Sequence, residues 1–459
     1  MIDEKGSFRD PAGKIFYLRD KVYRKINKEG LNRLKYVIEN DIISKSVDKK
    51  FLIKTKECEK NNHEINISSD ELVFEHERVP YISYPYEWSF SQLKTAAIHH
   101  IDFHLFLLEM NATLIDASAY NIQFIGFKPI FIDLLSIKQY EQGEYWKGHK
   151  QFCENFLNPL LLKSKKGINF NNWFKGNLEG IETGDLNNIL NFFDKLSLNV
   201  FMQVYLLNKL EERSKLNKDI KVKKKERNFP KKSFISMLHQ LRKFISNLNP
   251  KKKPSLWEDY SVNNTYKFDE EKKKISCVEN FCKKNKFNKF ADVGCNNGLY
   301  STLALKNGCN YVVGFDYDIN AVDEAFNKSS KEKLNFLPLY FDASNPSSNI
   351  GWNENERKSF KERGNFDGIA ALAFEHHLSI AKNIPLNEVI DWLMSLAPKG
   401  LIEFIPKNDE TIKKMLEFKG DIFPDYNEEN FTKFISNKGK ILSCTKISAS
   451  GRAIYEYER

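Results

Sequence analysis

The chain has 459 residues, 41% hydrophobic and 13% aromatic, which is enough apolar side chain for two or three cores and excludes wholesale disorder. Its net charge of +10 is concentrated: Lys215 to Lys253 holds 14 Lys/Arg against 2 Asp/Glu, so the rest is near neutral and no general nucleic-acid-coating surface is implied. No apolar stretch approaches the roughly 20 residues that cross a bilayer, and the charged start MIDEKGSFRD has no signal-peptide core, which predicts a cytoplasmic protein.

In chain order, residues 13–26 (GKIFYLRDKVYRKI) read as a β-hairpin turning at Arg19-Asp20. A helix is expected from about Glu29 to Lys45, then strand material in FLIKTKE and ELVFEHERV. A long helix, SFSQLKTAAIHHIDFHLFLLEMN, leads to TLIDASAYNIQFIGFKPIFIDLLS, a hairpin followed by an apolar strand. Helices such as LNNILNFFDKLSLNVFMQVYLLNKL fill the stretch to 215. Strands first and helices afterwards predict a separate α+β domain over 10–215.

Residues 216–256 read as a basic linker. Within it Phe234, Ile235, Leu238, Leu241, Phe244, Ile245 and Leu248 recur at three- and four-residue intervals, one apolar helical face with lysines at both ends. Two readings stay open: a helix packed on a neighbouring domain, or a basic amphipathic helix over 231–248 touching an anionic membrane surface or an acidic partner.

Beyond the linker the pattern is regular. Helix FDEEKKKISCVENFCKKN, strand KFADVG, helix LYSTLALKNG, strand YVVGFDYD, helix INAVDEAFNKS and strand LNFLPLYFDAS follow one another. FDGIAALAF is a fourth strand, NEVIDWLMSLAP a helix and GLIEFIP a fifth strand, and KILSCTKISASGRAIYEYE forms two strands about a Ser-Ala-Ser-Gly turn. The alternation predicts an α/β, Rossmann-like domain over 257–459, its mostly parallel sheet ending in an antiparallel hairpin. Seven cysteines, at 58, 153, 277, 282, 295, 309 and 444, include no CxxC pair; they read as reduced thiols, and no zinc is expected.

The glycine loop FADVGCNNGLYS carries the densest signal. A strand running into such a turn and then a helix brings a ligand onto backbone N–H groups. A dinucleotide site would show G-x-G-x-x-G. Here the spacing is Asp292-x-Gly294-x-Asn296-x-Gly298, with no third glycine for a pyrophosphate. Asp316 closes the next strand and Asp342 the third. Three carboxylates at successive strand ends repel a pyrophosphate but suit an ammonium, ribose hydroxyls and an adenine amine, all present in S-adenosylmethionine. The blander reading is that these aspartates only cap helices.

With these residues, 255–459 resembles the class I S-adenosylmethionine-dependent methyltransferases, terminal hairpin included. The resemblance implies that Gly294 and Gly298 let the methionine part approach and that Asp292 lies near its ammonium. Asp316 would accept from the ribose hydroxyls, Asp342 would face the adenine amine, and Asn296 would tolerate the turn and add a hydrogen bond. No metal is implied. The end of the fourth strand, ALAFEHHLSIAKNIPLNEV, then faces the activated methyl, which makes Glu375, His376 and His377 the candidates for substrate chemistry. Transfer to a hydroxyl needs a base, and histidine titrates in the right range, although either His can instead pack or cap the next helix. His377 is the favoured base; Glu403 and Lys407 in IEFIPKND are placed to line the pocket. ALAFEHHL, IEFIPK and FPDYNEENF together resemble a bacterial methyltransferase group that includes a rhizobial nodulation host-specificity protein. That implies O-methylation of a glycan, lipid-linked sugar or other small hydroxyl acceptor, and no nucleic-acid partner. The alternatives are a protein or RNA methyltransferase using its front domain for recognition, and a bifunctional kinase-methyltransferase.

In the front domain Asp116 and Asn121 stand in D-x-x-x-x-N spacing, and Asp133 follows a hairpin and the strand PIFID. Together with the upstream order this resembles protein kinases and aminoglycoside phosphotransferases, with a catalytic Asp, a metal-binding Asn and a metal-binding Asp. Arg24 falls where a kinase lysine reaches the phosphates, or Lys25 does if the register slips by one. ATP and Mg²⁺ are what the resemblance implies. The chain departs from it in having only DPAGKIF in place of a glycine-rich loop, TLI before Asp116, and Leu-Leu after Asp133. An inactive kinase-like scaffold, an active kinase, and turn residues without further meaning all remain open.

Overall fold

The structure, a computed structural model, describes residues 1–59, 65, 67, 68, 70–206, 208, 209, 229–251 and 268–459. Strands β1 (Ile2–Asp3), β2 (Gly13–Leu18), β3 (Lys21–Ile26), β4 (Thr55–Glu57) and β5 (Leu72–His76) form an antiparallel sheet in the order β1-β2-β3-β5-β4. The hairpin turns at Arg19-Asp20, as its sequence predicts, with Arg19 at φ +54°. The helix expected from Glu29 to Lys45 is two helices, Lys28–Glu39 and Ile42–Asp48, because Asp41 sits in the left-handed region at φ +55°. Helix Phe90–Glu109 starts at a capping box in which Ser89 and Gln92 satisfy each other's backbone, and it buries Leu93, Ala97, Ile101 and Leu107. β6 (Ala112–Leu114) pairs with β9 (Ile137–Gln139), while β7 (Ile122–Ile125) and β8 (Lys128–Phe131) make a hairpin across Gly126 at φ +60°. The helix expected over 186–210 is broken into Thr183–Ile189, Phe192–Lys195 and a last helical run made of Leu198–Val200 and Phe201–Leu206. Asn191 accepts from Asp194 N–H as an N-cap and so starts a new helix where the pattern suggested continuation.

The apolar face of the linker settles against the protein itself. Helix Lys231–Ser246 packs on Phe90–Glu109 with Phe234, Leu238, Leu241 and Ile245 buried. Arg242 Nη2 donates to Asp102 at 3.0 Å, and Lys94 Nζ to the Leu248 carbonyl at 2.8 Å. Of the two readings of that face, its buried residues fit the one in which the helix packs on a neighbouring part of the protein. The basic run 210–228 and residues 252–267 lie outside the described residues.

In the C-terminal part β10 (Lys289–Val293), β11 (Tyr311–Asp316), β12 (Phe336–Tyr340), β13 (Gly368–Ala371), β14 (Lys399–Phe404), β15 (Lys440–Lys446) and β16 (Ala453–Glu458) form one sheet. The order is β12-β11-β10-β13-β14-β16-β15. The first five strands are parallel, and β16 runs antiparallel between β14 and β15. This is the Rossmann-like arrangement with a terminal hairpin expected from the sequence. The parallel strands read as unbroken apolar runs because helices such as Phe268–Asn285, Leu299–Lys306 and Ile319–Glu332 cover their faces.

The two parts share one apolar core. Tyr81 packs on Phe315 and Phe366 with ring centroids 5.8 Å away in each case, and Phe124 meets Phe326 at 5.7 Å. The N-terminal part also covers the outer edge of the sheet, since Gln92 Nε2 donates to the Pro338 carbonyl on β12 at 3.0 Å. An edge strand left bare would offer unpaired backbone to other chains.

Candidate active site

The strand order reverses between β10 and β13, and in open α/β sheets the crevice outside the carboxyl ends of such a pair receives ligands. The glycine loop leaves β10 there. Gly294 and Cys295 donate to the Phe315 carbonyl at 2.8 and 3.1 Å, so the turn is fastened to β11. Gly294, Asn296 and Gly298 lie at φ +85°, +46° and +78°. A Cβ on Gly298 would stand 2.5 Å from the Phe336 ring, so this position requires glycine for packing as well as for its dihedral.

Asp292 is buried at the end of β10, where its Oδ2 accepts from Ser301 Oγ at 2.7 Å. Its Oδ1 has no partner among the described residues, and burial pushes the carboxyl up to about 6. Asp316 uses Oδ2 to accept from Asn296 N–H and Oδ1 from Asp318 N–H, both at 2.8 Å, and burial pushes it up to about 6 as well. The extra hydrogen bond expected of Asn296 is thus made by its backbone, while its side chain accepts from Asn297 N–H at 2.7 Å. Asp342 lies two residues beyond β12 instead of on its last residue, with Oδ1 accepting from Ser344 N–H at 3.0 Å and Ser344 Oγ at 2.6 Å.

At the end of β13, Ala373 turns through φ +51°, and the Phe374 ring lies 3.1 Å from where a Gly294 Cβ would be. Helix Glu375–Ser379 follows. Glu375 is fully buried: Oε1 accepts from Tyr426 OH at 2.7 Å and Ile405 N–H at 3.3 Å, and Oε2 lies 3.2 Å from His376 Nδ1. Burial raises Glu375 to about 7 and lowers the equally buried His376 to about 3, which leaves that imidazole neutral. His377, partly buried, lies against His376 with centroids 4.0 Å apart and the rings tilted by 40°; burial holds its pKa well below the ordinary value, with His376 adding to the effect. Of the three candidates only His377 keeps exposure. Glu403 Oε2 accepts from Lys274 Nζ at 2.6 Å in a buried pair while its Oε1 has no hydrogen-bond partner among the described residues, and Lys407 pairs with Asp421 at 2.7 Å. Sequence reasoning missed Lys274, one of three consecutive lysines on its helix, and Tyr426, which lies inside a quoted motif without a distinguishing neighbour.

In the N-terminal part Arg24 Nη1 pairs with Asp133 Oδ1 at 2.9 Å, and Lys25 goes instead to Glu71 at 2.7 Å. Asp133 Oδ2 accepts from Ser136 Oγ. Asp116 accepts from Asn121 Nδ2 at 2.9 Å and Ser118 N–H at 3.2 Å, and burial raises its pKa. The four predicted residues come together, and each of the four carboxylate oxygens accepts from a protein donor. Among the described residues no three His, Cys, Asp or Glu side chains are grouped to hold a metal, and no helix is long and apolar enough to cross a membrane.

No family model matches the sequence. The nodulation protein NoeA of Rhizobium meliloti (strain 1021) is 42% identical over 456 residues, covering 99% of this chain and 95% of the relative. Magnesium protoporphyrin IX methyltransferase (ChlM) from Synechocystis PCC 6803, solved with bound SAH, overlaps 49% of this chain and 94% of its own, at 18% identity and a TM-score of 0.31. N-methyltransferase NodS from Bradyrhizobium japonicum WM9, solved with S-adenosyl-L-homocysteine, overlaps 44% of this chain and 91% of its own, at 10% identity and a TM-score of 0.32. Overlaps at these scores carry no argument, and the fold rests on the strand order above.

Proposed function

The chain belongs to the family of the nodulation protein NoeA, and from that premise and the loop geometry we propose that it methylates a small hydroxyl acceptor, a glycan or lipid-linked sugar, using S-adenosylmethionine. The observation that carries this reading is Asp292, whose unpartnered buried oxygen sits beside a left-handed glycine turn at the reversal of strand order. A buried carboxylate oxygen without a donor is costly, and a ligand ammonium would satisfy it. Asp316 keeps a second lone pair on each oxygen for ribose hydroxyls. When bound, the cofactor supplies an electrophilic methyl group. His377, neutral near pH 7, is the residue that takes the proton from the acceptor hydroxyl.

The arrangement of Arg24, Asp116, Asn121 and Asp133 supports a kinase-like ancestry for the N-terminal part. Because Arg24 supplies the positive charge at Asp133, we read this part as a scaffold and assign it no nucleotide or magnesium.

The two carboxylates set a pH dependence. Each folded-state pKa, about 6, lies above the ordinary aspartate value, so stability of the ligand-free protein falls as pH rises through the window between the two. The cofactor selects the ionised forms, so its affinity moves the opposite way. Titration calorimetry with S-adenosylhomocysteine is expected to show binding about tenfold weaker at pH 5 than at pH 7 for each carboxylate that must ionise. An affinity unchanged over this range contradicts carboxylate recognition.

A further inference from the structure

The helical run Leu198–Leu206 is apolar on two opposite sides. Val200 and Val204 are fully buried, and Gln203 Oε1 lies 3.0 Å from His149 Nε2, so one side packs on the N-terminal part. Leu198, Phe201 and Met202, three and four residues apart, face outward, and Leu198 is 73% exposed. The preceding helix, Phe192–Lys195, adds Phe192 and Phe193, with Leu196 just after it; Phe193 is 78% exposed. Large apolar side chains scattered singly over a surface need no explanation, but six of them between residues 192 and 202 mark an interaction site. A helix apolar on both sides has a second surface to cover.

Basic charge adjoins this face. Lys166 Nζ pairs with Asp194 Oδ2 at 2.5 Å, and Lys209 Nζ stands 4.7 Å from the centroid of the Tyr205 ring. From Lys215 to Lys232 the sequence holds nine Lys/Arg against two Asp/Glu. The described residues on either side of that stretch lie close to the apolar face. Lys209 precedes it, and at its far end Phe229 stacks on Tyr145 at 5.3 Å and donates its N–H to the Gly143 carbonyl at 3.1 Å. Gly143 and Tyr145 lead directly to His149, the residue that meets Gln203.

Exposed aromatic and aliphatic side chains beside a run of lysines match an anionic bilayer. Its acyl boundary takes up the apolar groups, and its headgroups attract the cations. A second copy of the chain fits less well, since a two-fold contact sets the same surface against itself and brings two basic stretches together. We infer that residues 192–202, with the basic stretch 215–232, form the surface by which the protein docks on an anionic phospholipid bilayer. This surface stands apart from the glycine loop, and its binding to lipid needs no cofactor.

The test is co-sedimentation of the full chain with phosphatidylcholine vesicles, with and without phosphatidylglycerol. Binding to the anionic vesicles is expected to be at least about tenfold stronger than to phosphatidylcholine alone, and to fall as salt rises. Phe192→Ser combined with Phe193→Ser should weaken it at least about tenfold, because two aromatic rings no longer leave water, with circular dichroism unchanged. Lys223→Glu combined with Lys224→Glu should lower binding and flatten its salt dependence. Trp352→Ser, which removes an exposed apolar side chain in the crossing from β12 to β13, should bind as the wild type does. Binding that the serine double variant leaves unchanged, or that Trp352→Ser lowers as much, overturns the inference. So does a wild type that ignores the vesicles: if it sediments as a dimer that the serine double variant dissociates, the face joins two copies, and if it sediments as a monomer, the face belongs to a protein partner.

Discussion

Replacing His377 with alanine is expected to slow methyl transfer to a hydroxyl acceptor by roughly 10²–10⁴-fold, the usual worth of a positioned general base. S-adenosylhomocysteine affinity should hardly change, since Asp292 and Asp316, the carboxylates proposed to bind it, lie on other strands. The structure separates the two histidines. His376 is fully buried with Nδ1 against Glu375, whereas His377, on the short helix that follows β13, is partly exposed. His376→Ala should therefore act chiefly on stability, by opening a cavity beside Glu375. The loss in His377→Ala should shrink at high pH, where the hydroxyl ionises with less help. Initial rates across pH for the two variants check this, and near-normal turnover by His377→Ala would show that His377 is not the base, leaving Glu375 or Glu403 in that role or an acceptor nitrogen that needs no strong base.

Arg363→Met is expected to destabilise the protein by about 3–5 kcal/mol, the range for removing one partner of a buried ion pair. Arg363 donates to both oxygens of Glu87 at 2.6 and 2.9 Å and to the Ile82 carbonyl at 2.7 Å, and both side chains are almost wholly buried. The methionine leaves Glu87 charged in an apolar boundary between the two halves of the chain. Adding Glu87→Leu should recover part of the loss, because a buried pair replaced by apolar groups is often close to neutral. Recovery should stay incomplete, since Glu87 also accepts from Tyr84 N–H at 2.9 Å. Denaturant unfolding of the single and double variants measures both terms. A single variant as stable as the parent would show that the boundary does not hold the halves together.

The C-terminal sheet was legible because each parallel strand is an apolar run bounded by turn residues, as in KFADVG and YVVGFDYD, and the loop was legible because its glycines and aspartates fall at strand ends. What stayed hidden depends on contacts remote in sequence. Arg363 sits in KSFKERG among ordinary surface charges, and its burial is decided by Glu87, 276 residues away. The linker helix showed its apolar face, but pattern alone could not say whether protein or membrane covers it; Phe90–Glu109 does. The break at Asp41 left no trace in a periodicity that runs on past it.

The most direct test of the central claim is titration of the purified chain with S-adenosylhomocysteine, alongside Asp316→Ala. Asp316 fastens the loop through Asn296 N–H and is the residue proposed to accept from the ribose hydroxyls. Its loss removes charge-assisted hydrogen bonds that are costly to leave unmade. The account predicts saturable binding by the wild type, weakened at least about tenfold in the variant, which corresponds to about 1.4 kcal/mol. A wild type that shows no saturable binding would contradict it.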